Sequence, residues 1–76
     1  MDHKPSKTIE DYLQVMHYMT RDGATIIGAR LAERIGVAPP TVTATLQRMI
    51  RDGLITMDDH KVVHLTENGR EQAESI

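Results

Sequence analysis

Hydroxyl and arginine side chains share one side of the segment from Val37 to Gly53, VAPPTVTATLQRMIRDG. If this segment is a helix, its spacing predicts one buried apolar stripe, made of Val42, Leu46, Met49 and Ile50. The side chains that then face outward are Thr41, Thr43, Ala44, Gln47, Arg48 and Arg51. Small side chains let a helix lie close to a polyanion, and arginines pair with phosphates. The pattern is typical of a helix that recognises nucleic acid.

The composition limits the class of protein. A chain of 76 residues is one small domain. It contains no cysteine, which excludes a disulfide framework and a thiolate metal site. No apolar run is long enough to span a membrane, and the start, MDHKPSK, lacks the apolar core of a signal peptide. We therefore expect a soluble, cytoplasmic protein that does not bind membranes.

The charges are distributed unevenly along the chain. The formal net charge of −2 weakens the case for nucleic acid, because Lys and Arg supply most non-specific affinity. Between Gly28 and Arg51, however, there are four arginines and one acid. Acids gather instead at Asp58 and Asp59 and in the tail after residue 66. We expect a locally basic face and a modest affinity for DNA.

The first third of the chain predicts an arm and a helix. Residues 1–7 show no periodic pattern, so we expect a mobile arm there and a folded domain over residues 8–76. Apolar residues recur at helical spacing from Thr8 to Arg21, with Thr8 as the N-cap and Asp22-Gly23 as the stop. The segment 24–27 suits a brief strand or an extended entry into the next helix.

The middle of the chain predicts a helix-turn-helix. A second helix from Gly28 to Ile35 is followed by only three residues, Gly36-Val37-Ala38, before the next helix. Two helices joined by a short turn that contains glycine form this motif. Pro39 and Pro40 fit only the first turn of a helix, where a missing N–H is tolerated, so they mark the start of helix three.

The last third predicts a wing and a final helix. Residues 54–57 and 61–65 have the character of strands on either side of the turn-rich Asp58-Asp59-His60. Thr66 is expected to cap a last helix, Glu67 to Ile76, with Ala73 and Ile76 on one side. The fold class is therefore mainly α with a small β-hairpin, a winged helix-turn-helix.

Three segments of the chain resemble one family. TIEDYLQVMHYM, ARLAERIGVAPPTVTATLQRMIRDGLI and VVHLTENGREQA resemble the N-terminal domain of the diphtheria toxin repressor family, iron- and manganese-dependent bacterial repressors. The most specific elements are Glu10-Asp11-Tyr12-Leu13, Pro40-Thr41-Val42, Arg48-Met49-x-Arg51-Asp52-Gly53-Leu54 and Leu65-Thr66-x-x-Gly69. The resemblance covers the chain from about Lys7 to its end.

The resemblance implies which residues bind DNA. At the start of helix three these are Ala38, Pro40, Thr41, Thr43 and Ala44, where backbone N–H groups would also suit phosphates. Gln47 lies on the same outward face. Phosphate contacts are implied for Thr8, Arg48, Arg51 and, in the wing, Lys61. Ala44 stands where some relatives have glutamine and offers only a methyl group to thymine, so base recognition here is expected to depend on apolar contact and DNA shape.

The metal site of the family is matched at one position only. Asp11 occupies a ligand position on helix one, but Gln14 stands where a glutamate is expected. The other ligands and the dimerisation helices of the family lie beyond residue 76. The resemblance thus implies Fe(II) or Mn(II) and a homodimer for a full-length member and no cofactor in this chain alone. The chain would be an excised DNA-binding domain or a natural short form.

Several of these residues have simpler interpretations. Asp11 can be a first-turn acid that the helix dipole favours. His17, His60 and His64 invite a zinc hypothesis, with His60 and His64 on one strand face of a regular hairpin, but structural zinc needs four well-spaced ligands. Met16, Met19 and Met49 fit a role as core filler. Arg48 and Arg51 can be a solvated face, with Arg51 beside Asp52.

The function class that the sequence favours is DNA binding. The chain has no glycine-rich phosphate loop after a strand, and Ser6 and Ser75 are terminal, so we do not expect an enzyme. A winged-helix module that binds another protein is the alternative, because fold alone does not fix function. The hydroxyl-rich, basic face instead predicts a sequence-specific double-stranded DNA-binding domain of a metal-dependent transcriptional repressor.

Overall fold

The computed structural model describes residues 6–76 and contains four helices and one hairpin within that range. The elements are, in order, α1 Lys7–Arg21, α2 Gly28–Ile35, α3 Pro39–Arg51, β1 Ile55–Met57, β2 Val63–Leu65 and α4 Glu67–Glu74. This is the winged helix-turn-helix predicted from the sequence. None of the helices that the structure describes is both long and apolar enough to cross a membrane.

The start of α1 differs from the prediction. The N-cap is Ser6, not Thr8, because the Ser6 backbone is extended and its hydroxyl accepts a hydrogen bond from the Ile9 amide at 3.3 Å. Ser6 caps the helix and Lys7 opens it, so neither belongs to the expected arm; the other residues of that arm, 1–5, lie outside the described part of the chain. The stop at Asp22 and Gly23 is confirmed, with Gly23 at φ 74°.

The turn between α2 and α3 follows the prediction closely. Gly36 ends α2 in the left-handed conformation, with φ 81°, which suits glycine, and its amide donates to the Ala32 carbonyl at 2.9 Å. Ala38 is extended and is the N-cap of α3, and Pro39 and Pro40 fill the first two helical positions. The helix-turn-helix is thereby confirmed at the predicted boundaries.

The core lies where the four helices and the hairpin meet. Its buried residues are Ile9, Tyr12, Leu13, Met16, Met19, Ile26, Leu31, Ala32, Val42, Leu46, Met49, Leu54, Ile55, Val63 and Ala73. The three methionines are thus core residues, as their core-filler interpretation predicts.

Ile50 does not belong to the buried stripe of α3, contrary to the prediction. Val42, Leu46 and Met49 are buried, but Ile50 is 41% exposed. At 3.6 residues per turn, a residue eight positions after Val42 points about 80° away from it. Ile50 therefore sits at the edge of the stripe.

The hairpin is shorter than predicted, and a neighbouring segment supports it. β1 and β2 are antiparallel, with Ile55 opposite Leu65, Thr56 opposite His64 and Met57 opposite Val63. The Val63 amide donates to the Ile26 carbonyl at 2.8 Å, so the segment before α2 runs as an extended entry beside β2 and is not itself a strand. This hydrogen bond ties the hairpin to the start of the helix-turn-helix.

Thr66 fixes α4 against the end of α3. As predicted, it is the N-cap of α4, and its hydroxyl accepts from the Gly69 amide at 3.0 Å. The same hydroxyl donates to the Gly53 carbonyl at 2.7 Å. The helix ends at Glu74, two residues earlier than predicted, so Ile76 lies beyond it; Ala73 is buried, whereas Ile76 is 45% exposed.

Gly69 permits a close approach of α4 to the backbone of Leu54. Gly69 is buried, and a Cβ atom there would overlap the Leu54 carbonyl group. Because this neighbour is main chain, no side-chain rotation can relieve the overlap. The first turn of α4 can therefore pack at this distance only with glycine.

We expect Gly69→Ala to lower the free energy of unfolding by about 3 kcal/mol, the upper range for overpacking a tight site. Urea denaturation followed by circular dichroism measures this change. Gly28→Ala is the control, because its Cβ would meet Val42 Cγ1 at an ordinary 3.9 Å. Equal stabilities of the two variants would contradict the close approach of α4.

Candidate nucleic-acid interface

The outward face of α3 is exposed as predicted. Its side chains are Thr41, Thr43, Ala44, Gln47, Arg48 and Arg51, all of which are exposed. The buried residues Val42, Leu46 and Met49 hold the opposite side of the helix in the core. The structure therefore places six of the predicted DNA-contacting residues on one solvent-facing surface, the α3 face.

The backbone at the start of α3 is a poor anion site, contrary to the expectation from the sequence. Pro39 and Pro40 have no N–H group. The next two amides, of Thr41 and Val42, both donate to the Ala38 carbonyl, at 3.0 and 3.3 Å. Because these early amides are absent or already bonded, phosphate binding at α3 depends on side chains.

The threonines of α3 differ in what their hydroxyls can offer. Thr43 Oγ1 donates to the Pro39 carbonyl at 3.2 Å, and Thr45 Oγ1 donates to the Thr41 carbonyl at 3.0 Å. The proton of the Thr43 hydroxyl is thus used within the helix, while its lone pairs remain available. Thr43 is suited to accept a hydrogen bond from a base amino group.

Arg48 lies beside Asp52, whereas the sequence suggested Arg51 as the partner of that acid. The Arg48 Nε and Asp52 Oδ2 atoms are 4.0 Å apart, and the two side chains are 56% and 49% exposed. A pair this long and this exposed is strongly screened by water. It leaves the Arg48 guanidinium able to turn toward a phosphate.

Lys61 occupies an unusual backbone conformation in the wing. Its φ is 64°, the one positive value at a non-glycine residue within residues 6–76. It is the third residue of the loop 59–61, between Asp58 and Val62. The Lys61 amide donates to the Asp58 carbonyl and the Asp58 amide to the Val62 carbonyl, both at 3.0 Å. Lys61 is exposed at the tip of the hairpin.

Asp58 is a structural residue of the wing, although its place in the sequence predicts only an acid in a turn. Its Oδ1 accepts from the His60 amide at 2.9 Å and from the Val62 amide at 3.0 Å. Its Oδ2 lies 3.0 Å from Nε2 of His64. The preference of aspartate for bonding amides two residues ahead was the signal that could have identified it.

The predicted arrangement of the histidines is wrong. His60 lies in the loop and not on a strand face shared with His64, because β2 begins only at Val63. His64 is engaged with Asp58 instead. Within the described range, no three His, Asp or Glu side chains are grouped so that they could hold a metal ion.

The α1 positions of the predicted site lie near the start of that helix. Thr8 is exposed in the first turn. Asp11 Oδ1 is 3.0 Å from Nζ of Lys7, and this hydrogen bond raises the pKa of Lys7. Asp11 also lines a shallow cleft with Gln14, Val15, Tyr18 and Ile35. One carboxylate, already paired with a lysine, does not make a metal site with the residues present.

Known proteins resemble this chain over most of its length. The family model described as "Iron dependent repressor, N-terminal DNA binding domain" matches residues 4–63. The chain belongs to this family. The match spans α1, the helix-turn-helix and the first strand of the wing, so the family assignment rests on the same elements that carry the α3 face.

Curated relatives and a solved structure agree with the family. The chain is 39% identical to the iron-dependent repressor IdeR of Mycobacterium tuberculosis and 36% identical to the diphtheria toxin repressor of Corynebacterium diphtheriae. Each match covers 91% of this chain but 30% of the relative. The solved structure of the manganese regulator SloR superimposes with a TM-score of 0.78 at 25% identity, over 88% of this chain and 31% of SloR.

We expect the Asp58 carboxyl to titrate below its ordinary pKa of 3.8, because hydrogen bonds from His64 and from the Val62 and His60 amides favour the carboxylate. With the folded pKa lowered, these bonds stabilise the wing above pH 3.8 and are lost as the pH falls through the lower, folded value. A side-chain ¹³C NMR titration measures this pKa. His64→Ala should move it back toward 3.8, whereas His60→Ala, which keeps its backbone amide, should not. Equal values in both variants would exclude His64 as the main cause.

Proposed function

We propose that this chain is a sequence-specific double-stranded DNA-binding domain of a metal-dependent transcriptional repressor. Helix α3 lies in the major groove, and the wing, about residues 54–65, rests on the flanking backbone. The observation that carries this proposal is the α3 face itself, which presents hydroxyls and arginines to solvent while its opposite side is buried. The family to which the chain belongs supports the same function.

The two ends of the α3 face have different roles in this proposal. At 1.5 Å per residue, Thr41 and Arg51 are about 15 Å apart along the helix axis. The major groove is about 12 Å wide, so a helix that enters it N-terminus first leaves its last turn near a phosphate strand. The base-facing group is Ala38, Pro40, Thr41, Thr43, Ala44 and Gln47. Arg48 and Arg51 contact phosphates.

Two further phosphate contacts come from outside α3. Thr8 is exposed at the start of α1, and Lys61 is exposed at the tip of the wing. With few backbone amides available at the start of α3, the phosphate contacts depend on side chains, chiefly the cationic Arg48, Arg51 and Lys61. Affinity should therefore fall steeply with salt, because each neutralised phosphate releases counterions.

Metal control and dimerisation belong to the whole repressor in this proposal. The relatives are named as iron-dependent repressors, and SloR is named as a manganese regulator. This chain spans about 30% of the length of those relatives. We propose that Fe(II) or Mn(II) acts on a full-length homodimer, that palindromic DNA half-sites are read by two copies, and that Asp11 contributes at most one ligand.

The decisive experiment is a residue-resolved NMR titration of the domain with a duplex pool of randomised sequence at low salt. We expect signals from Thr41 to Arg51 and around Lys61 to shift and to return as salt is added. Arg21, on the α1 side that faces the end of α4, serves as an internal reference that should not move. A titration without shifts would contradict DNA binding and favour a module that binds protein.

Arg48→Ala and Arg51→Ala should each weaken binding about equally on all DNA sequences. Each should lower the slope of log affinity against log salt by about 0.9, the value for one phosphate contact. Fluorescence anisotropy at several salt concentrations measures both quantities. Arg21→Ala is the matched control, since it removes the same charge from another surface. A changed sequence preference with an unchanged salt slope would disprove the phosphate role.

Ala44→Gln should change which bases the domain prefers. An alanine methyl can contact only an apolar group such as the thymine methyl, whereas a glutamine amide can bond the edge of adenine. Selection from a random duplex library, followed by sequencing, compares the two motifs. Gln72→Ala, on α4, controls for selection noise. Identical motifs for wild type and Ala44→Gln would show that position 44 lies outside the groove.

A further inference from the structure

The wing tip places a lysine where hairpins of this type favour glycine. A three-residue hairpin loop commonly ends in a residue with left-handed backbone, and glycine is preferred there because it has no Cβ. In this chain that residue is Lys61, at φ 64°. Backbone strain of this kind persists only where surrounding contacts hold it, and it is concentrated at functional sites.

Asp58 supplies the contacts that hold Lys61 in this conformation. Its Oδ1 accepts from the amides on both sides of Lys61, those of His60 at 2.9 Å and Val62 at 3.0 Å. Its own carbonyl accepts from the Lys61 amide at 3.0 Å. The amides of His60, Lys61 and Val62 are therefore all bonded to one residue. These bonds also set the direction in which the Lys61 side chain leaves the backbone.

The second carboxylate oxygen of Asp58 anchors the loop to the strand that follows it. Oδ2 lies 3.0 Å from Nε2 of His64, which pairs with Thr56 across the hairpin. The same contact lowers the pKa of Asp58 and so favours its carboxylate form. The loop, Lys61 and β2 thus form one hydrogen-bonded unit centred on an acid.

An acid at this place is unexpected for simple electrostatic reasons. The wing carries Asp58 and Asp59 next to Lys61, and both carboxylates would repel a phosphate strand at that tip. The two acids differ in their contacts, because the three wing hydrogen bonds to a carboxylate all end on Asp58. Repulsion of phosphates does not explain why an acid stands at position 58 of a DNA-contacting wing, whereas a role in positioning Lys61 does.

We propose that Asp58 is a positioning residue for DNA binding, which fixes the left-handed backbone of Lys61 so that its ammonium group faces a phosphate beside the groove. This inference rests on the proposed function. Asp58 touches no DNA in this arrangement and acts through Lys61. His64 contributes by holding the second carboxylate oxygen.

Asp58→Ala and Asp59→Ala separate positioning from charge. Each removes one negative charge from the wing, so repulsion alone would make both variants bind DNA more tightly. We expect Asp59→Ala to bind as wild type or slightly more tightly and Asp58→Ala to bind three- to tenfold more weakly, measured by fluorescence anisotropy at fixed salt. Asp58→Asn keeps an oxygen that accepts from the two amides and should restore at least wild-type affinity.

A background without Lys61 tests whether Asp58 acts through that residue. In the Lys61→Ala variant, adding Asp58→Ala should cause no further loss of DNA affinity. The salt slope of the double variant should equal that of Lys61→Ala alone. A loss of the same size on this background would overturn the proposal. So would equal affinities for Asp58→Ala and Asp59→Ala.

A measurement without DNA keeps the inference separable from the proposed function. ¹³Cα and ¹³Cβ shifts and the backbone coupling constant of Lys61 report its φ directly. In Asp58→Ala they should lose the left-handed values, while signals of α1 to α3 stay in place and show that the domain is folded. Retained left-handed values would overturn the inference even if wild type binds DNA. Absence of wild-type binding would instead defeat the proposed function, and the DNA role of Asp58 with it.

Discussion

The burial of one side of α3 is the constraint on which the rest of the structure depends. Val42, Leu46 and Met49 lie in the core, which fixes the rotation of the helix about its axis. Once that rotation is fixed, Thr41, Thr43 and Arg48 face solvent. The position of the candidate interface therefore follows from core packing, whereas the fold does not require the particular polar residues found on it.

The wing is held to this helix by contacts that do not involve its own tip. Val63 bonds the Ile26 carbonyl, and Thr66 joins Gly53 to the start of α4. These bonds place the base of the hairpin relative to the helix-turn-helix. The tip is organised separately by Asp58, whose carboxylate accepts from the His60 and Val62 amides and holds the loop in one conformation. A tip held in this way presents Lys61 in one orientation relative to α3, which suits the phosphate contact proposed for it.

Hydrophobic periodicity and turn-forming residues were sufficient to predict the fold. They did not predict local details for which several residues were equally suitable. Pro39 and Gly36 fixed the boundaries of α2 and α3, because proline and glycine tolerate few alternatives. Ser6 and Thr8 are both good caps, and spacing alone could not choose between them. The left-handed backbone of Lys61 could not be predicted, since lysine, unlike glycine, has no preference for a positive φ. It depends on hydrogen bonds to a side chain three residues earlier.

The electrostatic balance of the domain bears on how it could select a DNA site. With a net charge of −2, attraction to DNA comes from a small number of local cations and not from the molecule as a whole. The Arg48 Nε atom lies 4.0 Å from Asp52 Oδ2, and Asp58 and Asp59 precede Lys61 in the wing, so two of the proposed phosphate contacts have an acid nearby. If α3 were displaced by one base pair along the DNA, the acids would still repel the phosphates, but the cations would lose their phosphate partners. In the proposed mode, these acids lower the affinity for wrong sites more than for the correct one.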